Sequence, residues 1–110
     1  MNSKEDFETD VELVMQKAFD IFKERNKDYG LSHSRHGEIM TCFFPDGLQL
    51  NNSQDFTRFM FFNWIVGKLN RYAENFSKGG HADSIFDCIN ACAMFNIYDK
   101  NFEDIKNEIS

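Results

Sequence analysis

Lys68 and Arg71 stand one helical turn apart, and Asp83 and Asp87 are spaced i and i+4 on a second predicted helix. An ammonium beside a guanidinium is the side-chain chemistry that binds phosphate. Two carboxylates stacked on one helix face repel each other unless a cation lies between them. That cation is either a Mg²⁺ ion or the Lys68/Arg71 pair across the helix interface, which needs nothing from outside the chain. Trp64, Tyr72 and Asn75 fall on the cationic face at spacings of three and four, and Asn90 and Met94 extend the acidic one. Cations next to aromatic rings suit a nucleotide: phosphate meets the charges while indole or phenol stacks on the base. Tyr29 is a second stacking candidate beside Trp64. The same residues equally suit an internal salt-bridge network with Trp64 and Tyr72 in the core. Residue types alone leave these alternatives open.

Other groups carry weaker chemistry. Gly79-Gly80-His81-Ala82-Asp83-Ser84 is a glycine-rich entry to a helix, which in other settings cradles phosphate. Here Asp83 opposes that use and the spacing is not a P-loop's, so the glycines are expected to permit a tight inter-helix turn. His33-x-x-His36, with His81 at a distance, does not complete a zinc set, and no metal is expected on these histidines. Cys42 has no base beside it in sequence to make it a nucleophile.

The elements that position these groups are read from apolar spacing. A first helix is expected from about Thr9, where Thr9-x-x-Glu12 offers a capping box, to Gly30, through Val11, Val14, Ala18, Ile21 and Phe22. Residues 31–37 read as a loop. In residues 39–50 two short apolar runs flank Pro45-Asp46-Gly47, which predicts a β-hairpin. A helix from Ser53 to Phe76 follows, apolar around much of its circumference and therefore central or covered by a partner chain. A third helix is expected over Ala82 to Tyr98, and a tail helix within residues 100–110. The fold class expected is mostly α: a small bundle of three to four helices with a short β-hairpin insertion between the first two.

The bulk properties narrow the field. With 110 residues, 13 Phe and one Pro, the chain is expected to form a single ordered domain spanning residues 1–110. Its net charge of −6 disfavours nucleic acid as a partner. Three cysteines without a Cys-x-x-Cys pair are expected to be reduced in a cytoplasmic protein. The acidic first ten residues resemble no targeting signal, and the run Phe59–Val66 is too short to span a bilayer, so no membrane is expected.

The segments Lys27-Asp28-Tyr29-Gly30, Lys68-Leu69-Asn70-Arg71-Tyr72 and Asp83-Ser84-Ile85-Phe86-Asp87-Cys88-Ile89-Asn90 occur in an order that resembles the phage and prophage nucleotide modification associated domain family. The resemblance covers about residues 18–98. The chain departs from the family pattern at Asn26-Lys27, which reverses the usual order, at Ala91 where the family tends to have Tyr, and in the insertion at residues 39–50. That family in turn resembles, more distantly, the all-α nucleotide pyrophosphohydrolases related to MazG, which hold Mg²⁺ between an E-x-x-E helix and an E-x-x-D helix. In this chain Lys68-x-x-Arg71 takes the place of E-x-x-E, and Asp83 and Asp87 lack the i,i+3 spacing. A four-carboxylate metal cage is replaced by two carboxylates and two cations.

Three functions compete, the first two following from the resemblance and the third from the acidic surface. The first is a phage-type protein that captures a nucleotide or a nucleotide-derived, even cyclic, signal without turnover, as a homo-oligomeric counter-defence sponge. Lys68 and Arg71 would bind phosphate, oriented by Asp83 and Asp87, with Asn75 and Asn90 bonding the ligand and Tyr29 or Trp64 stacking on the base. It needs no cofactor. The second is a Mg²⁺-dependent nucleotide pyrophosphohydrolase, with Asp83 and Asp87 catalytic and holding the metal. The third is a protein–protein inhibitor module acting through its acidic surface.

Overall fold

Ser3 begins the first helix: its hydroxyl accepts a hydrogen bond from the Asp6 amide (3.1 Å), which satisfies one of the donors that every helix N-terminus leaves open. The computed structural model describes residues 3–109, the side chains of Asp28 and Tyr29 excepted. Helix α1 spans Lys4–Tyr29. The start expected near Thr9 is therefore a turn and a half too late. The Thr9 hydroxyl instead donates back to the Glu5 carbonyl (3.0 Å) inside the helix, and Glu5 and Asp6 complement the positive end of the helix. Gly30 closes α1 at φ 54°, donating its amide to the Asn26 carbonyl.

By its contacts the chain falls into two units, Met1–Gly30 and Leu31–Ser110. The first unit is α1 alone. The second contains α2 (Ser32–Phe43), α3 (Ser53–Glu74), a 3₁₀ turn (Phe76–Lys78), α4 (Ala82–Tyr98) and α5 (Phe102–Ile109). Within it, α3 packs against both α2 and α4, and α5 follows against α4.

Helix α2 overturns two expectations. Residues 31–37 are not a loop, and residues 39–50 form no β-hairpin; no strand occurs among the described residues. The inward face of α2 has helical spacing but mixed chemistry, since Ser32, His36, Ile39 and Met40 are its less exposed positions. An apolar count misses such a face because its first half is polar. Polar groups of α3 receive it. Asn70 donates from Nδ2 to the Ser32 carbonyl and accepts on Oδ1 from Arg35 Nη2 (3.0 Å). Arg35 also pairs with Glu74 (3.1 Å), and His36 Nε2 donates to Asn63 Oδ1 (2.6 Å). At the other end, Phe43 and Phe44 each meet the Phe62 ring edge-on, at 5.2 and 5.1 Å. The helix stops at Phe43 because Phe44 precedes Pro45, which disfavours helical backbone at that position. The Pro45-Asp46-Gly47 signal is a real turn, closed by the Gly47 amide on the Phe44 carbonyl (3.0 Å). It follows a helix instead of joining two strands.

Asn52 caps α3 by accepting from the Asp55 amide (2.9 Å), and Asp55 in turn accepts from the Asn51 amide (3.1 Å). Within the second unit α3 is central, one of the two alternatives that its apolar breadth left open. The face buried against α4 is built on Phe61, whose ring stacks on Phe95 (5.9 Å) and Tyr98 (5.6 Å), and on Val66. Ala91, fully buried, lets α4 approach. Burying a side chain of the size of Phe61 is worth about 1.5–3 kcal/mol. Phe56, Met60 and Trp64, at intervals of four, remain exposed on another face of α3.

Candidate functional site

Helices α3 and α4 are joined by residues 75–81, and the geometry of that connection fixes what faces what. The Asn75 carbonyl accepts from the amides of Lys78 (3.0 Å) and Gly80 (2.9 Å), while its side-chain amide donates to the Arg71 carbonyl (2.9 Å). Gly79 and Gly80 both take φ 99°, where a side chain is strained. At Gly80 there is also no room, since a Cβ would lie 2.7 Å from the Tyr72 hydroxyl. The two glycines thus form the tight turn that their sequence suggests, and Gly80 seats the Tyr72 ring. His81 leads into α4 with its Nδ1 2.8 Å from the buried Ser84 hydroxyl.

This turn brings Lys68 opposite Asp87, with Nζ 3.0 Å from Oδ2. The lysine side chain is only 16% exposed and the aspartate 41%. The predicted pairing of a cation on one helix with a carboxylate on the next therefore exists, at this pair. Next to it, between α3 and α4, lies an open cavity of about 460 Å³ lined by Lys68, Leu69, Tyr72, Ile85, Cys88 and Ile89. Its wall is almost wholly apolar, and the Lys68 side chain supplies the charge. Cys88 is the thiol nearest this charge pair. Its partial burial, then Cys92 and Asp87, push its pKa up, and Lys68 works in the opposite direction. It is a protonated wall residue, not an activated nucleophile.

The other candidate residues are placed less closely. Arg71 is half-buried one turn beyond Lys68, and Asn75 is buried and bonded within its own turn. Asp83 is exposed in the first turn of α4, and Asn90 is exposed two turns further along. Trp64 stacks on Phe61 (6.3 Å) and lies outside the cavity wall. Tyr29 falls outside the residues whose side chains are described. No three His, Cys, Asp or Glu among the described residues form a group able to hold a metal ion. His36 is engaged with Asn63 and His81 lies at Ser84, so neither histidine is placed as a member of a metal set.

Sequence reasoning put Tyr72 on the cationic face without assigning it to the site, and it missed Cys88 and the apolar wall. Leu69, Ile85 and Ile89 recur at core spacing, and nothing in that spacing distinguishes the floor of a cleft from a closed core. The Gly79-Gly80 pair was the available signal for Tyr72, because a glycine with no room for a Cβ marks a side chain packed against the backbone.

No protein-family model, no curated protein and no solved structure matches this chain. The likeness to the nucleotide modification associated domain family rests on the three motifs alone. No helix among the described residues is long and apolar enough to cross a membrane.

Proposed function

We propose that this protein binds a small anionic ligand with a flat, ring-bearing body, of which a nucleotide or cyclic nucleotide is the preferred class, and holds it without turnover. The observation that carries the proposal is Lys68. A lysine whose side chain is largely buried at the edge of an apolar cavity, its ammonium paired with the half-exposed carboxylate of Asp87, is suited to exchange that carboxylate for a ligand's phosphate. The apolar wall accepts a base, and Tyr72, fixed by Gly80, offers a ring for it to stack on. Arg71, one turn away and half-buried, is the second cation. Capture of this kind is what a counter-defence sponge does, the role that the resemblance implies.

Hydrolysis is the weaker reading. It requires carboxylates gathered on a metal, whereas Asp87 is turned to Lys68 and Asp83 lies exposed at the start of α4. The deciding experiment incubates the protein with nucleoside triphosphates, cyclic di- and trinucleotides and ADP-ribose derivatives, with and without Mg²⁺. The filtrate and the heat-released protein fraction are then chromatographed. A ligand depleted from the filtrate and recovered intact supports capture, and Lys68→Met abolishes that depletion. A new mono- or diphosphate peak that requires Mg²⁺ overturns it in favour of a pyrophosphohydrolase. An unchanged panel removes small-molecule binding and leaves the inhibitor-module reading.

A further inference from the structure

Helix α1, taken by itself, has a patterned face that the ligand cavity does not use. Phe7, Val11, Val14, Ala18 and Ile21 recur at alternating intervals of four and three, the heptad spacing of a helix that lies along another helix. Met15 and Phe22 widen the seam. These side chains are exposed: Val14 is 68% and Met15 66% accessible, and Phe7 and Phe22 are each more than half so. A continuous apolar seam of this length in water is more than the scattered exposure normal for a single chain. A lone helix is also weakly stable without packing along its apolar face.

The charges on α1 say what covers the seam. Residues 4–12 carry Glu5, Asp6, Glu8, Asp10 and Glu12 against Lys4, a net of −4. Residues 16–29 carry Lys17, Lys23, Arg25 and Lys27 against Asp20, Glu24 and Asp28, a net of +1. A second copy laid parallel would set acidic half on acidic half. Laid antiparallel, each acidic half meets the basic half of the other chain, twice over by the twofold axis. We propose that α1 is a self-association helix, pairing antiparallel with α1 of a second copy through the Phe7–Ile21 seam. This assignment is independent of the ligand cavity, since it uses none of the cavity's residues.

Light scattering across a dilution series, with circular dichroism to confirm helix content, tests it. The wild-type chain of 12.9 kDa is expected to run as an even-numbered assembly. Val14→Glu with Met15→Glu, both at exposed positions and both to a good helix former, is expected to reduce it to smaller units with the α2–α5 unit still folded. Glu8→Lys with Glu12→Lys removes the acidic partner surface and is expected to weaken association at least tenfold. A single-chain mass at every concentration overturns the proposal, as does an assembly indifferent to the Val14/Met15 change, which would place the contact elsewhere. An assembly tightened by the Glu8/Glu12 change overturns it too, because relieving like-charge repulsion is the signature of parallel pairing.

Discussion

Replacing Asp87 by Asn separates a ligand-binding role for Lys68 from a catalytic role for Asp87. Asn keeps the shape of the side chain and removes its charge, so Lys68 loses the carboxylate now 3.0 Å from its Nζ. An incoming phosphate competes with that carboxylate and is repelled by it. The bare attraction between unit charges at this distance is about 5 kcal/mol at an effective dielectric constant of about 20. Asp87 is 41% exposed, however, and water screens such a pair to about 0.2–1 kcal/mol. With Lys68 mostly buried, the upper end of that range applies. About 1 kcal/mol corresponds to roughly fivefold, so under the proposed capture role Asp87→Asn is expected to bind a nucleotide ligand about fivefold more tightly. Equilibrium dialysis at fixed ionic strength measures this, with Lys68→Met and the double variant alongside. The gain is expected to shrink in the double variant, which has no ammonium left to release. A tenfold loss of affinity in Asp87→Asn would refute the reasoning, because it would mean that the carboxylate itself contacts the ligand or a cation bridging to it.

Asn70→Ala removes two of the bonds that hold the first half of α2 on α3, one of them to a charged group. Arg35 keeps Glu74, so the loss is expected at about 2 kcal/mol, read as a urea midpoint lowered by about 1 M. Gly80→Ala forces a side chain into positive φ and against the Tyr72 ring; the strain of about 1–3 kcal/mol is expected to lower the melting temperature by several degrees and to weaken ligand capture through Tyr72. Cys88, with its pKa raised chiefly by burial, is expected to alkylate more slowly than a cysteine in an unfolded peptide at neutral pH, measured by mass spectrometry against time. Because the folded state holds this proton more tightly, the contribution of Cys88 to stability is full below the ordinary thiol range. It declines as the pH rises through that range towards the higher folded value.

The helical elements were legible where one physical signal dominated. The boundaries of α4 at Ala82 and Tyr98 follow from the Gly79-Gly80 break and an apolar face. Helix α2 was hidden because the bonds that hold it come from residues far away in sequence. Ser32, Arg35 and His36 find their partners at Asn70, Glu74 and Asn63, and no local pattern encodes such pairings. Pro45-Asp46-Gly47 signals a turn, but a turn does not say which element enters it. Here the two runs around it were assigned to strands because each was too short to show a helical period. The start of α1 was misplaced for a different reason: two capping residues compete, Ser3 and Thr9, and the first turn after Ser3 carries no apolar period to favour it.

The candidate site was legible as chemistry but not as a surface. Spacing put Lys68 on one helix and Asp87 on the next without showing that they face each other; in the structure they meet. Spacing could not show that the ion pair closes one side of an open apolar cavity, since Leu69, Ile85 and Ile89 have the same periodicity as core residues. That distinction bears on function. An ion pair sealed in a core must be matched almost perfectly to offset the loss of water around both charges, and exchange with a ligand would be ruled out. Lys68 sits between those limits, largely out of water but with a partner that remains partly in it. Its carboxylate can turn to solvent when an anion arrives, so displacing it costs about as much as breaking a surface pair. The incoming phosphate would meet an ammonium on a side chain that is itself largely buried. Under the proposed function a site of that kind would bind an anion through a charge that the unliganded protein holds in reserve, and for that reason removing Asp87 should raise affinity and removing Lys68 should abolish it.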